Sequence, residues 1–176
     1  MPVLPPSEIK PLLRTDQRLL GLDVGSKTIG LALTDVTLTI ATPLLTLARK
    51  KFTKDVQELF KIIESKDVGG LVVGLPISMD GNEGPRCQSV RQFAANLLAQ
   101  RDLPLCFWDE RLSTAAVTRT LLEADTSRRR RAEVVDKMAA AYILQGALDV
   151  MSGRNVAIPR GLGDTAVEAA EQEESP

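Results

Sequence analysis

The chain contains no histidine. That absence excludes Ser-His and Cys-His catalysis, histidine-ligated zinc and nucleases that use a histidine general base. Hydrolytic chemistry here would rest on carboxylates, hydroxyls, lysines or metal ions. Cysteine is scarce: Cys87 and Cys106 are the only two. Their spacing fits neither a metal site nor a disulfide framework, so both are read as small residues of a reducing compartment. Aromatic residues make up only 3%. Phe93, Phe107, Trp108 and Tyr142 fall at positions that suit a core, which disfavours single-strand binding by base stacking. No apolar run approaches the ~18 residues of a membrane span. Met1-Pro-Val-Leu-Pro-Pro has neither the basic start nor the apolar stretch of a signal peptide. The expected location is the cytoplasm, with no membrane partner.

What is present suits one folded domain: 176 residues, 44% of them hydrophobic. The net charge of −1 hides an asymmetry. Gly161 to Pro176 carries five acids and no base, so residues 1–160 are net +4. A mildly basic folded part allows a nucleic-acid partner. The acidic tail, residues 153–176, reads as disordered.

Residues 1–16, with prolines at 2, 5, 6 and 11, read as an extended arm before a domain spanning 17–152. Arg18 to Val24 and Thr28 to Thr34 read as strands joined by the turn Gly25-Ser26-Lys27. Pro43 to Ala48 is a candidate third strand. Thr53 to Lys66 follows a helical period with Thr53 as N-cap. Gly70 to Gly74 has the wholly apolar character of a strand inside a parallel sheet. Pro85 to Arg101 reads as a helix and Leu105 to Trp108 as the last strand. Helices over Ser113 to Ala124 and Ala132 to Met151 complete the order. A leading hairpin followed by alternating strands and helices is an α/β pattern with a mixed sheet.

Three places put acids where ligands gather. Asp23 ends the first strand, and in open α/β sheets ligands collect beyond the carboxyl ends of strands. Asp109 and Glu110 follow the last strand directly, and either could serve. Asp136 is the only charged member of an apolar stripe roughly 160° wide on the last helix. That stripe contains Val135, Ala139, Ala140, Ile143, Gly146 and Ala147, while Glu133, Lys137 and Gln145 lie opposite. An acid on a buried face is costly unless paired or coordinating a metal. Small residues on that face would let the helix approach the sheet and bring Asp136 towards the strand ends. Carboxylates converging without histidine suit two hard divalent ions, Mg²⁺ or Mn²⁺, and phosphodiester hydrolysis.

The segments GLDVGSKTIGLALTD, VVGLPISMDGNEGP, DERLST and the arginine run leading into VVDKMAA resemble the YqgF-type proteins. These are bacterial pre-16S rRNA nucleases, also described as Holliday-junction-resolvase-like. The resemblance runs from about Arg18 to Met151. It implies a ribonuclease-H-like fold with a five-stranded mixed sheet and helices on both faces. It also implies Asp23, Glu110 and Asp136 as the catalytic, metal-holding acids, and it alone prefers Glu110 over Asp109.

Arg128, Arg129, Arg130 and Arg131 form a basic run beside Asp136 and are candidate phosphate contacts, as is Lys27. Arg49, Lys50, Lys51 and Lys54 form a second cluster, read as plain surface. Gly81, Gly84 and Arg86 open a helix whose N-terminus suits an anion. The leading expectation is a nuclease acting on the 5′ region of precursor 16S rRNA, as monomer or homodimer. The alternatives are a resolvase of branched DNA and a non-catalytic nucleic-acid-binding assembly factor. GLDVGSKTIGLALTD also resembles the phosphate-binding hairpin of actin-like ATPases and sugar kinases. Those proteins close two such domains around a nucleotide, and this chain has room for one.

Overall fold

The computed structural model describes residues 2–112 and 128–154, with the backbone alone over 128–133. Five strands form one mixed sheet in the order β3-β2-β1-β4-β5. They are β1 (Arg18–Val24), β2 (Thr28–Thr34), β3 (Ala41–Ala48), β4 (Val68–Leu75) and β5 (Leu105–Asp109). β1, β2 and β3 form an antiparallel meander. β4 joins β1 in parallel, and β5 joins β4 in parallel. β1 and β4 lie inside the sheet, and their runs RLLGLDV and VGGLVVGL are buried along nearly their whole length, as two-sided burial requires. β3, on the edge, is only partly covered.

Helices cover both faces. α2 (Phe52–Ser65) buries Val56, Leu59 and Ile63 at helical spacing, and α3 (Pro85–Gln100) buries Cys87, Val90, Phe93, Ala94 and Leu97. Both pack on the face formed by Leu20, Leu22, Ile29, Leu31, Leu71, Val73 and Leu105. The opposite face presents Leu19, Ala32, Val72, Cys106 and Trp108 to α4 (Arg128–Met151). The α4 residues Ala140, Ile143, Leu144 and Ala147 are fully buried there.

Three boundaries differ from the sequence expectation. Residues 6–12 are not an extended arm: α1 (Pro6–Ile9) and a 3-10 turn (Lys10–Leu12) occupy them. Pro6 suits a first helical position, where no amide hydrogen is required. Ile9 is fully buried, and the Leu4 amide donates to the Leu105 carbonyl at 2.9 Å. Apolar anchoring thus outweighs the extended bias of the prolines. α2 begins at Phe52, with Lys51 as N-cap and no side-chain cap, so Thr53 lies inside the helix. Asp55 instead reaches back over the helix start and accepts the Lys50 amide at 2.9 Å. α4 begins at Arg128, four residues before the expected start, so the arginine run forms its first turn. The expected helix at 113–124 and the tail from 155 lie outside the described residues. Among the described residues no helix is long and apolar enough to cross a membrane.

Candidate active site at the ends of β1, β4 and β5

The site is organised by a lateral row across the sheet. Asp23 on β1 pairs with Gly30 on β2. On the other side Leu22 pairs with Val73, so the next step sets Asp23 level with Gly74. Gly74 in turn pairs with Trp108 on β5. Residues paired across a sheet project to the same face. Trp108 belongs to the core under α4, so Asp23 also faces α4. Asp23 is 5% exposed.

The two glycines flanking Asp23 make room. A Cβ on Gly30 would stand 2.0 Å from the Asp136 carbonyl oxygen, so the α4 backbone lies directly on β2 there. A Cβ on Gly74 would stand 2.4 Å from Ile143 Cδ1 and 2.8 Å from Glu110 Oε1. Glycine on the strands therefore places the Asp136 backbone on one side of Asp23 and the Glu110 carboxylate on the other. Gly21 repeats the device one turn along α4, where a Cβ would meet the Ala140 carbonyl oxygen at 2.9 Å. The close approach expected from the small residues of the helix is seen at Gly146, where a Cβ would stand 2.7 Å from the Trp108 ring, and the strand glycines add to it. Glycine within otherwise apolar strands was the available signal.

Asp136 is partly exposed rather than buried. The Thr28 hydroxyl donates to its Oδ2, which ties the helix carboxylate to the start of β2. Its stripe companions Val135, Ala139, Ala140, Ile143 and Ala147 are buried as expected. Gln145, expected opposite that stripe, accepts the Ala41 amide at 2.9 Å and donates to the Thr39 carbonyl at 3.1 Å.

The adjacent acids Asp109 and Glu110 have different surroundings. Asp109 accepts the Arg111 amide at 3.0 Å, Arg111 Nε at 3.1 and 3.0 Å, and Nη2 at 2.7 Å. This forked contact raises the Arg111 pKa further above its ordinary value. Glu110 opens the short 3-10 turn Glu110–Leu112 with its Oε1 beside Gly74. The geometry thus separates two acids that strand position alone left equivalent. The Arg111 guanidinium also faces the loop after β4, where its charge helps lower the Asp80 pKa, after the hydrogen bonds from Asn82.

Lys27 is exposed on the turn between β1 and β2. Arg128 to Arg131 open α4, and their side chains lie outside the described residues. Arg49 is not plain surface. It is 24% exposed, bonds the Gly25 carbonyl at 2.9 Å, and lies over the Phe93 ring at 5.5 Å.

The donor set available for a cation is carboxylate oxygen, which suits hard divalent ions. The glycines level with Asp23 let the α4 backbone at Asp136 and the Glu110 carboxylate come close to the strands on either side of it. Among the described residues no three such side chains close around one point as a ready-made cation site. The acids converge on one face without forming a cage.

A family model described as RuvX: Holliday junction resolvase matches residues 17–150. A Paramagnetospirillum magneticum protein named "Putative pre-16S rRNA nuclease" is 69% identical over 153 residues, covering 87% of this chain and 99% of its own length. A protein of the same name from Rhodospirillum rubrum is 59% identical over 152 residues, covering 86% of this chain and 94% of its own. Among solved structures, T. thermophilus RuvC in complex with Holliday junction substrate matches with a TM-score of 0.50 at 12% identity, covering 78% of this chain and 96% of that one. That likeness concerns the fold, and it agrees with the ribonuclease-H-like sheet described above. Sheet, acid-bearing strand ends and matched span together place the chain in the RuvX Holliday junction resolvase family.

Proposed function

We propose that the chain is a nuclease that processes the 5′ end of pre-16S rRNA in the cytoplasm, with Asp23, Glu110 and Asp136 holding two divalent ions, Mg²⁺ or Mn²⁺. The observation that carries the reading is the row Gly30-Asp23-Gly74, which turns Asp23 towards α4 between Asp136 and Glu110. The substrate class follows from relatives named for pre-16S rRNA over nearly their full length. When bound, the ions supply Lewis acidity towards the scissile phosphate and lower the pKa of an attacking water.

The remaining work belongs to the chain. Thr28 holds the Asp136 carboxylate in one orientation. Asp109 engages Arg111 and leaves Glu110 as the acid beside Gly74. Lys27 offers an ammonium group on the turn that follows Asp23. Arg128 to Arg131 open the helix that carries Asp136. A rise of ~1.5 Å per residue puts Arg131 roughly 8 Å from Asp136 along the axis, within reach of a neighbouring phosphate.

The test is cleavage of labelled 16S precursor RNA and of a four-way DNA junction by the purified chain, with Mg²⁺ or Mn²⁺, beside Asp136→Asn. The expected result is metal-dependent cutting of the RNA that the variant loses. Equal cutting by the variant would overturn the assignment, and preferential cutting of the junction would move it to branched DNA. A junction resolvase would need two sites related by a two-fold axis to cut both strands. Replacing all four arginines should reduce the salt slope of RNA binding by roughly three to four units.

A further inference from the structure

We infer that Arg49 is a positioning residue, anchored by Asp55 and holding the β1–β2 turn that aligns Asp23 and Thr28. The turn is short. The Gly25 amide donates to the Thr28 carbonyl at 2.9 Å, closing Gly25-Ser26-Lys27. Two carbonyls of that turn are bound by one residue of a different segment. The Arg49 amide donates to the Lys27 carbonyl at 2.8 Å, and Arg49 Nη1 donates to the Gly25 carbonyl at 2.9 Å.

Arg49 is itself held. Its guanidinium lies over Phe93 of α3, and its Nε stands 3.8 Å from Asp55 Oδ2. Asp55 is 4% exposed, and its other oxygen accepts the Lys50 amide. Asp55 Oδ2 has no hydrogen-bond partner among the described residues, so its contact with Arg49 is one of charge. A buried carboxylate is retained at a cost unless a cation answers it. Arg49 is that cation, and the answering contact fixes its direction towards Gly25. The chain of contacts runs from α2 through Arg49 to the turn. From there Asp23 lies two residues before Gly25, and Thr28, which holds Asp136, follows Lys27 directly.

The catalytic consequence rests on the nuclease reading, whereas the tether itself does not. The test therefore has two arms, using the full chain. Arg49→Met keeps the stem against Phe93 and removes charge and donors; Arg49→Lys returns the charge. In the first arm, amide hydrogen exchange is read at Gly25 and Arg49, with Leu20 and Leu31 as core references. Arg49→Met should speed exchange at the two amides bonded to the turn and leave the references unchanged, and Arg49→Lys should recover part of the protection. In the second arm, RNA cleavage should show kcat about ten- to a hundredfold lower for Arg49→Met, with KM unchanged, since misplacement acts on the chemical step. Asp55→Asn should shift both readouts in the same direction.

Unchanged turn exchange in Arg49→Met would overturn the proposal. A raised KM with a salt slope lower by about one would also overturn it, making Arg49 a direct phosphate contact. If the unaltered chain cleaves no nucleic acid, the nuclease reading falls. Faster turn exchange would then still uphold the tether, and unchanged exchange would still overturn it.

Discussion

At the scale of single residues, neighbours in sequence differ in chemistry because of what they touch. Asp109 and Glu110 both emerge from β5, but the fork from Arg111 occupies Asp109. Asp109 should therefore behave as a supporting residue and Glu110 as a member of the site. Asp109→Asn keeps an acceptor for the Arg111 amide and should reduce RNA cleavage by no more than about 10–100-fold, the range for residues that orient a metal site. Glu110→Gln should exceed that loss. Steady-state rates of the two variants at saturating Mg²⁺ check the order, and the reverse order would assign the site to Asp109.

A second residue-scale prediction concerns Asp35. Its carboxylate accepts the Ile40 and Thr39 amides at 3.0 and 2.8 Å and the Thr37 hydroxyl. These bonds, led by the one from Ile40, lower its pKa from 3.8 to about 2. A carboxyl depressed on folding stabilises the fold above its unfolded value, and that contribution is lost as pH falls. The stability difference between the unaltered chain and Asp35→Ala should therefore be full above pH 3.8 and shrink towards pH 2. Urea unfolding across that window measures it, and a constant difference would contradict the sign.

At the scale of elements, the decisive contact is α4 on the sheet. Side chains on α4 supply the apolar stripe, and glycines on β1, β2 and β4, together with Gly146 on α4, set how near the helix comes. Gly30→Ala places a methyl group against backbone rather than against a side chain that can rotate away. Overpacking of this kind costs roughly 1–3 kcal/mol. The variant should unfold at lower urea with an unchanged slope, and it should lose cleavage beyond its loss of stability, because Asp136 moves with the helix. Unaltered stability would mean that α4 can lift off β2 freely. The strands were legible because apolar runs bounded by turn residues leave few alternatives. The start of α4 was not, since four consecutive arginines carry no apolar period.

At the scale of the whole molecule, the sheet separates two cores, and each cysteine sits in one of them. Cys87, on α3, lies in the core shared with α2, and Cys106, on β5, packs under α4. Both are fully buried, and burial pushes the Cys106 thiol up to about 12. Neither should react with an aromatic disulfide reagent in the native state. Both should label together once the molecule unfolds, at a rate that follows global opening. Faster labelling of Cys106 alone would show that α4 opens independently. The N-terminal segment belongs to this scale too: its prolines suggest extension, yet Ile9 inserts into the core beneath α4.

The sequence by itself determined which functional groups are at hand. The absence of histidine and the acids at strand ends and on an apolar helix stripe point to carboxylate chemistry with hard cations. Periodicity and turn residues also set the order of strands and helices, because backbone hydrogen bonding and burial act locally. Tertiary structure decided the rest. That the Glu110 carboxylate lies beside Gly74 while Asp109 takes the fork from Arg111 is not revealed by strand position alone. That Asp23, rather than Asp136, is the buried acid depends on how deeply each element sits. The roles of Gly30, Gly74, Arg49 and Asp55 arise from contacts between distant segments, where close approach and charge pairing are settled only once the helices rest on the sheet.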